Sequence, residues 1–465
     1  MCSLTAISTD FKQKIENVKG KQVLTDKKIQ DLELKYTSTS QDVETIQNQL
    51  SKVALQSDED IAYVFRAPPQ NPWFSGRECQ IRKLKSQLLG REEQAKKKRE
   101  VFLAAICGLG GSGKTSLVAE YAQRMKDHYQ GGVFWFSGED DTKLENSVND
   151  IAMNIGTFLH DSFDVTLSKT LARISRIRHP WLIVVDDMDE LHLSQNVTKI
   201  ISGSWQHGVA GHVVITTRRK PSALANDARG FQESSCVQLE CFDPNEAKDF
   251  LLKRTSIQCS EETNLAAESL VSELGGLPLA LEQAGALIKS LRCPLSSYLE
   301  SYKAQRLRLL SEKSQVTRVT DYESRERLAV TTTWLLNLEH IRQSIGGANA
   351  IRFLNACAFI NPNDIQQELI NVGEPIVEDE HFREFVCTTL GCQRVLKMLT
   401  DFSLFKESEN RCLSVHRLVQ EVVLENLSPD EKAESLVDAV RFLNYAFLKC
   451  PSPDELLTRM SDGQR

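Results

Sequence analysis

The chain has 465 residues, 26% charged and 41% hydrophobic, with a formal net charge of −7. That length predicts roughly two to four domains, and the composition is that of a globular protein in water. The acidic balance gives no general pull toward nucleic acid or an anionic membrane, and no apolar stretch approaches the ~18 residues of a membrane helix. The opening residues lack the basic and apolar regions of a signal peptide. The twelve cysteines contain no C-x-x-C pair; Cys236/Cys241 and Cys387/Cys392 are each five apart. This argues against zinc and against a disulfide framework, and a cytoplasmic location is the expectation.

Residues 1–55 carry a heptad. Its a positions include Ile15, Ile29, Val43 and Leu50, and its d positions Phe11, Val18, Leu32, Ile46 and Val53. A strict seven-residue period predicts a left-handed coiled coil, through which copies of the chain would associate. A long amphipathic helix folded back on its own chain fits the same pattern. Residues 56–75 read as a linker, because Pro68, Pro69 and Pro72 forbid helix. A short helix is expected from Glu78 to Leu89. The run Lys96 to Arg99 reads as a solvated loop before a buried strand, with a nuclear signal as the alternative.

Apolar residues 101–107 lead into a full G-x-x-x-x-G-K-T pattern with Gly108, Gly113, Lys114 and Thr115 at its fixed places. The following segment, Ser116 to Lys126, has helical spacing. Between a strand and a helix, this pattern is a phosphate loop. Backbone N–H groups of Gly108, Gly110, Gly111, Ser112, Gly113 and Ser116 would wrap a phosphate chain at a helix N-terminus. Lys114 would reach the β- and γ-phosphates, and Thr115 would ligate Mg²⁺. Further strands are expected at 133–137, 181–185, 212–217 and about 235–239, with helices 143–159 and 167–177 between them. This βαβ series predicts a parallel five-stranded sheet covered on both faces. The third strand ends in Asp186 and Asp187. Asp186 would hold Mg²⁺ through water, and Asp187 would orient or deprotonate an attacking water. The fourth ends in Thr216, Thr217, Arg218 and Arg219, where Arg218 could sense a γ-phosphate and Arg219 reads as a surface charge.

After about residue 243 the pattern turns helical. Asp243, Pro244 and Glu246 form a helix start, and further helices are expected at 263–274 and 278–292. Helices at 325–342, 347–359 and 391–400 then precede two short apolar runs, 402–406 and 411–415, around a polar turn. Helices followed by a β-hairpin have the shape of a winged helix. Two more helices, about 416–427 and 430–449, finish the pattern. The expected domains are a coiled coil at 1–55, a linker at 56–75, a P-loop nucleotide-binding domain at 76–240, an α-helical domain at 241–312, a winged-helix domain at 320–450 and a tail at 451–465.

The order of motifs resembles the NB-ARC class of STAND ATPases, the switch module of plant resistance proteins and of the animal apoptosome scaffold. The resemblance covers residues 73–427. It rests on Phe74-Ser75-Gly76-Arg77-Glu78, the phosphate loop, Val185-Asp186-Asp187, Thr216-Thr217-Arg218, Gly276-Leu277-Pro278-Leu279 and Ser414-Val415-His416-Arg417. The wording around Trp334 and His416 is similar to members that carry tetratricopeptide repeats. The resemblance implies that Phe74, Gly76 and Arg77 contact the adenine and that Pro278 packs on base and sugar. It implies that His416 contacts the β-phosphate of ADP and locks a closed state. At position 417 the family's acidic residue is replaced by arginine. Family members usually continue into sensor repeats, which residues up to Arg465 do not contain.

The expected function is a signalling switch, off with ADP and on with ATP, that assembles into a homo-oligomer through its nucleotide-binding domain and coiled coil. Its catalytic residues would be Asp187, Lys114 and Arg218, its cofactors ATP/ADP and Mg²⁺, its hydrolysis slow, and its effector a protein of unknown identity. Innate immunity or cell-death signalling is the expected setting. A nucleotide-gated transcription regulator is the second reading. It is disfavoured because residues 391–400 offer only Arg394 and Lys397 to DNA phosphates. A small-molecule kinase is the third, disfavoured by the added helical regions and the lack of an arginine-rich lid.

Overall fold

The computed structural model describes residues 63–90, 101–160, 162–189, 195–202, 211–227, 231–312, 322–362, 365–367, 389–407 and 412–449. The heptad, the basic run, Glu190 and the tail lie outside the described residues. Contacts divide the chain into two compact units. The larger takes residues 63–147 and 178–449; described residues 148–177 belong to the smaller. In chain order the first part holds α1 (Glu78–Leu89), β1 (Phe102–Gly108), α2 (Lys114–Arg124), β2 (Gly132–Ser137), α3 (Asp141–Asn154), α4 (Phe163–Ser175), β3 (Trp181–Asp186), α5 (Gln195–Ser202), β4 (Gly211–Thr217), α6 (Pro221–Asp227) and β5 (Cys236–Leu239). In the smaller unit Val148, Ile151, Ala152 and Ile155, then Leu167, Leu171 and Ile174, are buried. Their three- and four-residue spacing gives amphipathic helices.

β1 to β5 form one parallel sheet in the order β2-β3-β4-β1-β5. Its strands are nearly continuous apolar runs because both faces of such a sheet are covered. On one face Leu84, Leu88, Ile106, Leu117, Tyr121, Val184 and Val214 make a single apolar cluster that seats α1 and α2. Each of these side chains contributes about 1.5–3 kcal/mol of burial. In the β3–β4 register Trp181 stands opposite Gly211, where a Cβ would meet the indole at 2.0 Å. The glycine lets β4 lie beside the Trp181 indole. The parallel register brings the C-terminal ends of β1, β3 and β4 to one edge, where α/β sheets bind ligands.

The helix expected from Ser116 starts earlier, at Lys114, because Gly113 with φ 94° already makes the turn into it. The expected linker also has structure. The Val133 N–H donates to Val64 O at 2.8 Å and the Arg66 N–H to Val133 O at 3.0 Å. Residues 64–66 thus line the free edge of β2 and satisfy its backbone groups. The prolines beyond keep residues 67–76 out of helix.

The second part holds α7 (Pro244–Thr255), α8 (Glu261–Leu274), α9 (Pro278–Leu291), α10 (Leu295–Glu312), α11 (Tyr322–Gln343), α12 (Gly347–Cys357), β6 (Ile365–Gln366), α13 (Thr389–Asp401), β7 (Phe405–Glu407), β8 (Cys412–Val415), α14 (Arg417–Asn426) and α15 (Pro429–Lys449). One apolar core runs through all its helices, from Ala247 and Leu281 through Trp334 and Phe353 to Val422 and Phe442. β6, β8 and β7 form a small antiparallel sheet in that order. The sequence patterns foresaw the β7–β8 pair but not the two-residue β6, which is too short to carry a period. They also missed α5, α6 and α10. In α10 the buried Leu295, Tyr298, Tyr302 and Leu309 are diluted by charged neighbours. No helix among the described residues is long and apolar enough to cross a membrane.

Candidate functional site

The phosphate loop turns through Gly111 and Gly113, with φ of 79° and 94°, values that side chains strongly resist. Lys114 is 6% exposed, and its ammonium donates to Gly108 O and Leu109 O, each at 2.9 Å. Burial lowers its pKa, against the opposing charges of Asp189, Asp187 and Asp186. The hydroxyl of Ser112 is buried and has no hydrogen-bond partner. A buried orphan beside glycines that open a concave backbone fits a phosphate group.

Asp186 ends β3. Its Oδ1 accepts a hydrogen bond from the Thr115 hydroxyl at 3.1 Å and a shorter one from Thr216. Burial, and then the Asp187 charge, raise its pKa. Asp187 follows in a left-handed conformation, φ 57°, its N–H donating to Thr216 Oγ1 at 2.9 Å. Burial and then Asp189 raise its pKa too. Crowded carboxylates beside a threonine hydroxyl are a hard-oxygen donor set that fits Mg²⁺. No group of three or more His, Cys, Asp or Glu among the described residues could hold a metal. Thr115 and Asp186 would therefore hold the ion with water and phosphate oxygens completing its shell. When bound, Mg²⁺ offsets the charge of the phosphates.

Arg218 leaves the end of β4 and lies across the loop, its guanidinium carbon 3.4 Å from where a Cβ of Gly110 would stand. It is engaged by acids: Nε lies 3.1 Å from Asp189 Oδ2, and Nη2 lies 3.4 Å from Glu421 Oε1. Arg219 is half-buried rather than a surface charge. Glu421 is on α14, one turn after Arg417. Arg417 in turn reaches Glu139 at 3.5 Å, Glu421 at 3.6 Å and Asp189 at 3.8 Å. Sequence reasoning missed Glu139 and Glu421 as members of the site. The four-residue spacing of Arg417 and Glu421 was the available signal.

The N-terminal motif also reaches the loop. Arg77 is 4% exposed; its Nη2 donates to Glu240 O at 2.7 Å and to Ser112 O at 3.5 Å, and its guanidinium stacks on Phe242 at 4.5 Å. Gly76, with φ 66°, packs against Glu246, and Phe74 is half-buried beside the α1–α2 cluster. Pro278 opens α9, and the next N–H, of Leu279, donates to Gly111 O at 3.2 Å. His416 caps α14, its Nδ1 accepting the Leu418 N–H at 3.1 Å. Solvent reaches the ring, yet crowding by protein atoms and then the charges of Lys406, Arg218, Lys114 and Arg417 lower its pKa far below the usual value. The fold thus gathers the phosphate loop, Asp186, Asp187, Arg218, Arg77, Leu279 and α14 around one sheet edge.

Family models match two stretches: the NACHT domain over residues 103–258, and a domain of unknown function, DUF7779, over residues 346–432. The first match names NACHT, not NB-ARC. The chain is 26% identical over 375 residues to a nucleotide-binding leucine-rich repeat (NLR)-like protein of Hyaloscypha variabilis, covering 76% of this chain and 34% of that protein. It is 25% identical over 228 residues to a putative disease resistance protein of Arabidopsis thaliana, covering 46% and 25% respectively. The chain therefore spans about a third and a quarter of the length of these two relatives. Among solved structures it is similar to a STAND protein with a tetratricopeptide repeat sensor from Pyrococcus horikoshii. The identity is 15%, the coverage 86% of this chain and 51% of that one, and the TM-score 0.43. With its phosphate loop, its acidic β3 end and the NACHT match across both, the stretch 103–258 is similar to the nucleotide-binding domains of the STAND class of P-loop ATPases.

Proposed function

We propose that this chain is a nucleotide-operated signalling switch, held off by ADP and turned on by ATP, which assembles with other copies when on. The observation that carries this reading is the two-sided site. The phosphate loop and Arg218 come from the sheet, His416 and Arg417 come from the start of α14, and Asp189 and Glu421 bind arginines from both. A third phosphate would compete with Asp189 and Glu421 for Arg218 and so loosen α14 from the sheet edge. Such a ligand moves the equilibrium from 1:99 to 99:1 only with about 10⁴-fold preference for the released state.

In this reading residues 76–240 are the nucleotide-binding domain, 241–312 the helical domain and 320–450 a winged helix in the manner of NB-ARC proteins. Residues 1–55 form a coiled coil that joins copies. Phe74 to Arg77 and Pro278 hold the base and sugar, and hydrolysis aided by Asp187 is slow. The NLR-like and disease resistance relatives favour an immune setting, which this reading extends to cell-death signalling in the cytoplasm. A DNA-binding role has less support. Arg394 and Lys397 on α13 are exposed, but Lys397 is paired with Asp401 at 2.9 Å.

The test is to extract and identify the nucleotide that copurifies with the protein while weighing the particles by mass photometry. ADP in the small species and ATP in the large one are expected, and Lys114→Ala should carry neither. A protein that takes up no adenine nucleotide, or whose size is the same with ADP and ATP, would rule the switch out.

A further inference from the structure

Between the residues that line β2 and the start of α1 the chain runs as a strap, residues 67–77, without helix or strand. Pro68, Pro69 and Pro72 carry no N–H, so a backbone ladder cannot fix it. Asn71 makes one turn in it: the Phe74 N–H donates to Asn71 O at 2.9 Å and the Trp73 N–H to Asn71 Oδ1 at 3.1 Å. Side chains must place the rest.

Glu120, on α2, supplies the anchor. It is 5% exposed and stands among Leu117, Val118, Tyr121 and Ala122, which pack α2 on the sheet. A buried carboxylate is unfavourable unless it is paired, and packing α2 on the sheet does not need one. Both of its oxygens are used. Oε2 accepts from Gln70 Nε2 at 2.7 Å, and Oε1 from Arg124 Nε at 2.7 Å. Arg124, one turn further along α2, donates from Nη1 to Glu78 Oε1 at 2.8 Å and Oε2 at 2.9 Å, and its guanidinium lies 6.0 Å from the Phe74 ring. The Arg124–Glu78 pair is open to solvent and weak alone. Glu120, buried and bonded to the same guanidinium, orients it. Gln70 and Glu78, on either side of Phe74, are thus tied to adjacent turns of one helix.

That helix also begins with Lys114 and Thr115 of the phosphate loop. Between the two tied points, Arg77 donates to Ser112 O of the loop and to Glu240 O. One rigid element carries the loop at its start and the anchors of the strap about two and three turns later. The helix therefore sets the spacing between strap and loop.

We propose that Glu120 is a positioning residue. Through Gln70, and through Arg124 and Glu78, it holds the strap in register with the phosphate loop, and so governs affinity for the base and sugar of a nucleotide rather than for its phosphates. This rests on the reading above in which Phe74 to Arg77 hold the base and sugar. A strap cut loose from α2 has to be ordered again each time a base binds, and that cost is subtracted from the binding free energy.

The test compares the full chain with the double variant Gln70→Ala, Glu78→Ala and with Gln70→Lys and Glu120→Gln. Each is titrated calorimetrically with ADP and with pyrophosphate, alongside thermal unfolding without nucleotide. Gln70 and Glu78 are exposed, so their loss should leave the ligand-free midpoint nearly unchanged. Re-ordering the strap should weaken ADP about tenfold in the double variant, with pyrophosphate within twofold of wild type. Gln70→Lys keeps a donor for Glu120 and should bind ADP as wild type does. Glu120→Gln keeps an acceptor but loses the charge, and its ADP affinity should fall between those of wild type and the double variant. ADP binding within twofold of wild type in the double variant, or equal weakening of ADP and pyrophosphate, would overturn the proposal while leaving the switch intact. Absence of ADP binding by the wild-type chain would overturn both.

Discussion

His416 shows how one side chain can do two things. Its Nδ1 accepts the Leu418 N–H, and its pKa is low, so the neutral ring must carry its proton on Nε2. That N–H is the group left to meet a phosphate. His416→Ala removes both the helix cap and the donor, whereas His416→Asn keeps a capping oxygen. Ligand-free stability should therefore fall by about 1 kcal/mol in the alanine variant and less in the asparagine one. ADP should leave both variants about tenfold faster, the value of one lost hydrogen bond near 1.4 kcal/mol. Stopped-flow release at the wild-type rate from His416→Asn would remove the ring from the site. His212 on β4 is a second informative histidine. It is 0% exposed, its Nδ1 is 2.8 Å from the Tyr129 hydroxyl, and burial and then the charge of His128 hold its pKa down to about 3. Its neutral form is favoured in the fold, so the folded chain binds fewer protons than the unfolded one between pH 6.5 and 3. Its contribution is intact above pH 6.5 and is lost as pH falls through that window, by at most about 1.4 kcal/mol per unit. Urea unfolding between pH 6.5 and 5 should show this slope in wild type and a flatter one in His212→Gln; parallel slopes would assign the acid sensitivity to other groups.

At the scale of elements, buried ion pairs align the helices with the small sheet. Arg254 on α7 is 7% exposed; it donates to Glu282 on α9 and to Ser403 before β7, each at 2.9 Å, and stacks on Trp73 at 4.7 Å. Removing one member leaves the other buried and unpaired, which costs about 3–5 kcal/mol. Arg254→Ala should thus lower the unfolding midpoint strongly, and a shift under 2 °C would show the network to be dispensable. The double variant Arg254→Met with Glu282→Leu should recover most of the loss, because two apolar groups leave no orphan charge. The same α9 donates from Leu279 to Gly111, so disorder in this network should reach the phosphate loop.

At the scale of the whole molecule, acids hold together the parts that the switch would separate. Asp189 and Glu421 each touch both Arg218 and Arg417. Asp187 sits beside them in a left-handed turn. If it orients water, Asp187→Asn should bind Mg·ATP with wild-type affinity, stop phosphate release and accumulate the large species in mass photometry. Phosphate release at the wild-type rate would move the base elsewhere, with Asp189 the nearest alternative in sequence.

Much of this was legible in the residues because it is local. The phosphate loop, the acidic end of β3, the arginine after β4, the Asp243 cap and the β7–β8 hairpin all show in runs of a few residues whose backbone chemistry admits little else. The five strands were legible because a parallel sheet buried on both faces needs unbroken apolar runs. What the tertiary structure decided is pairing across distance. Nothing near Arg417 in sequence says that it reaches Glu139 and Asp189. Nothing near Glu421 says that it reaches Arg218, 203 residues away. A charge on a polar helix or a short strand carries the same local signal whether it meets water or a site. Only the register of the hairpin and the placement of α14 against the sheet edge decide which of the two it meets.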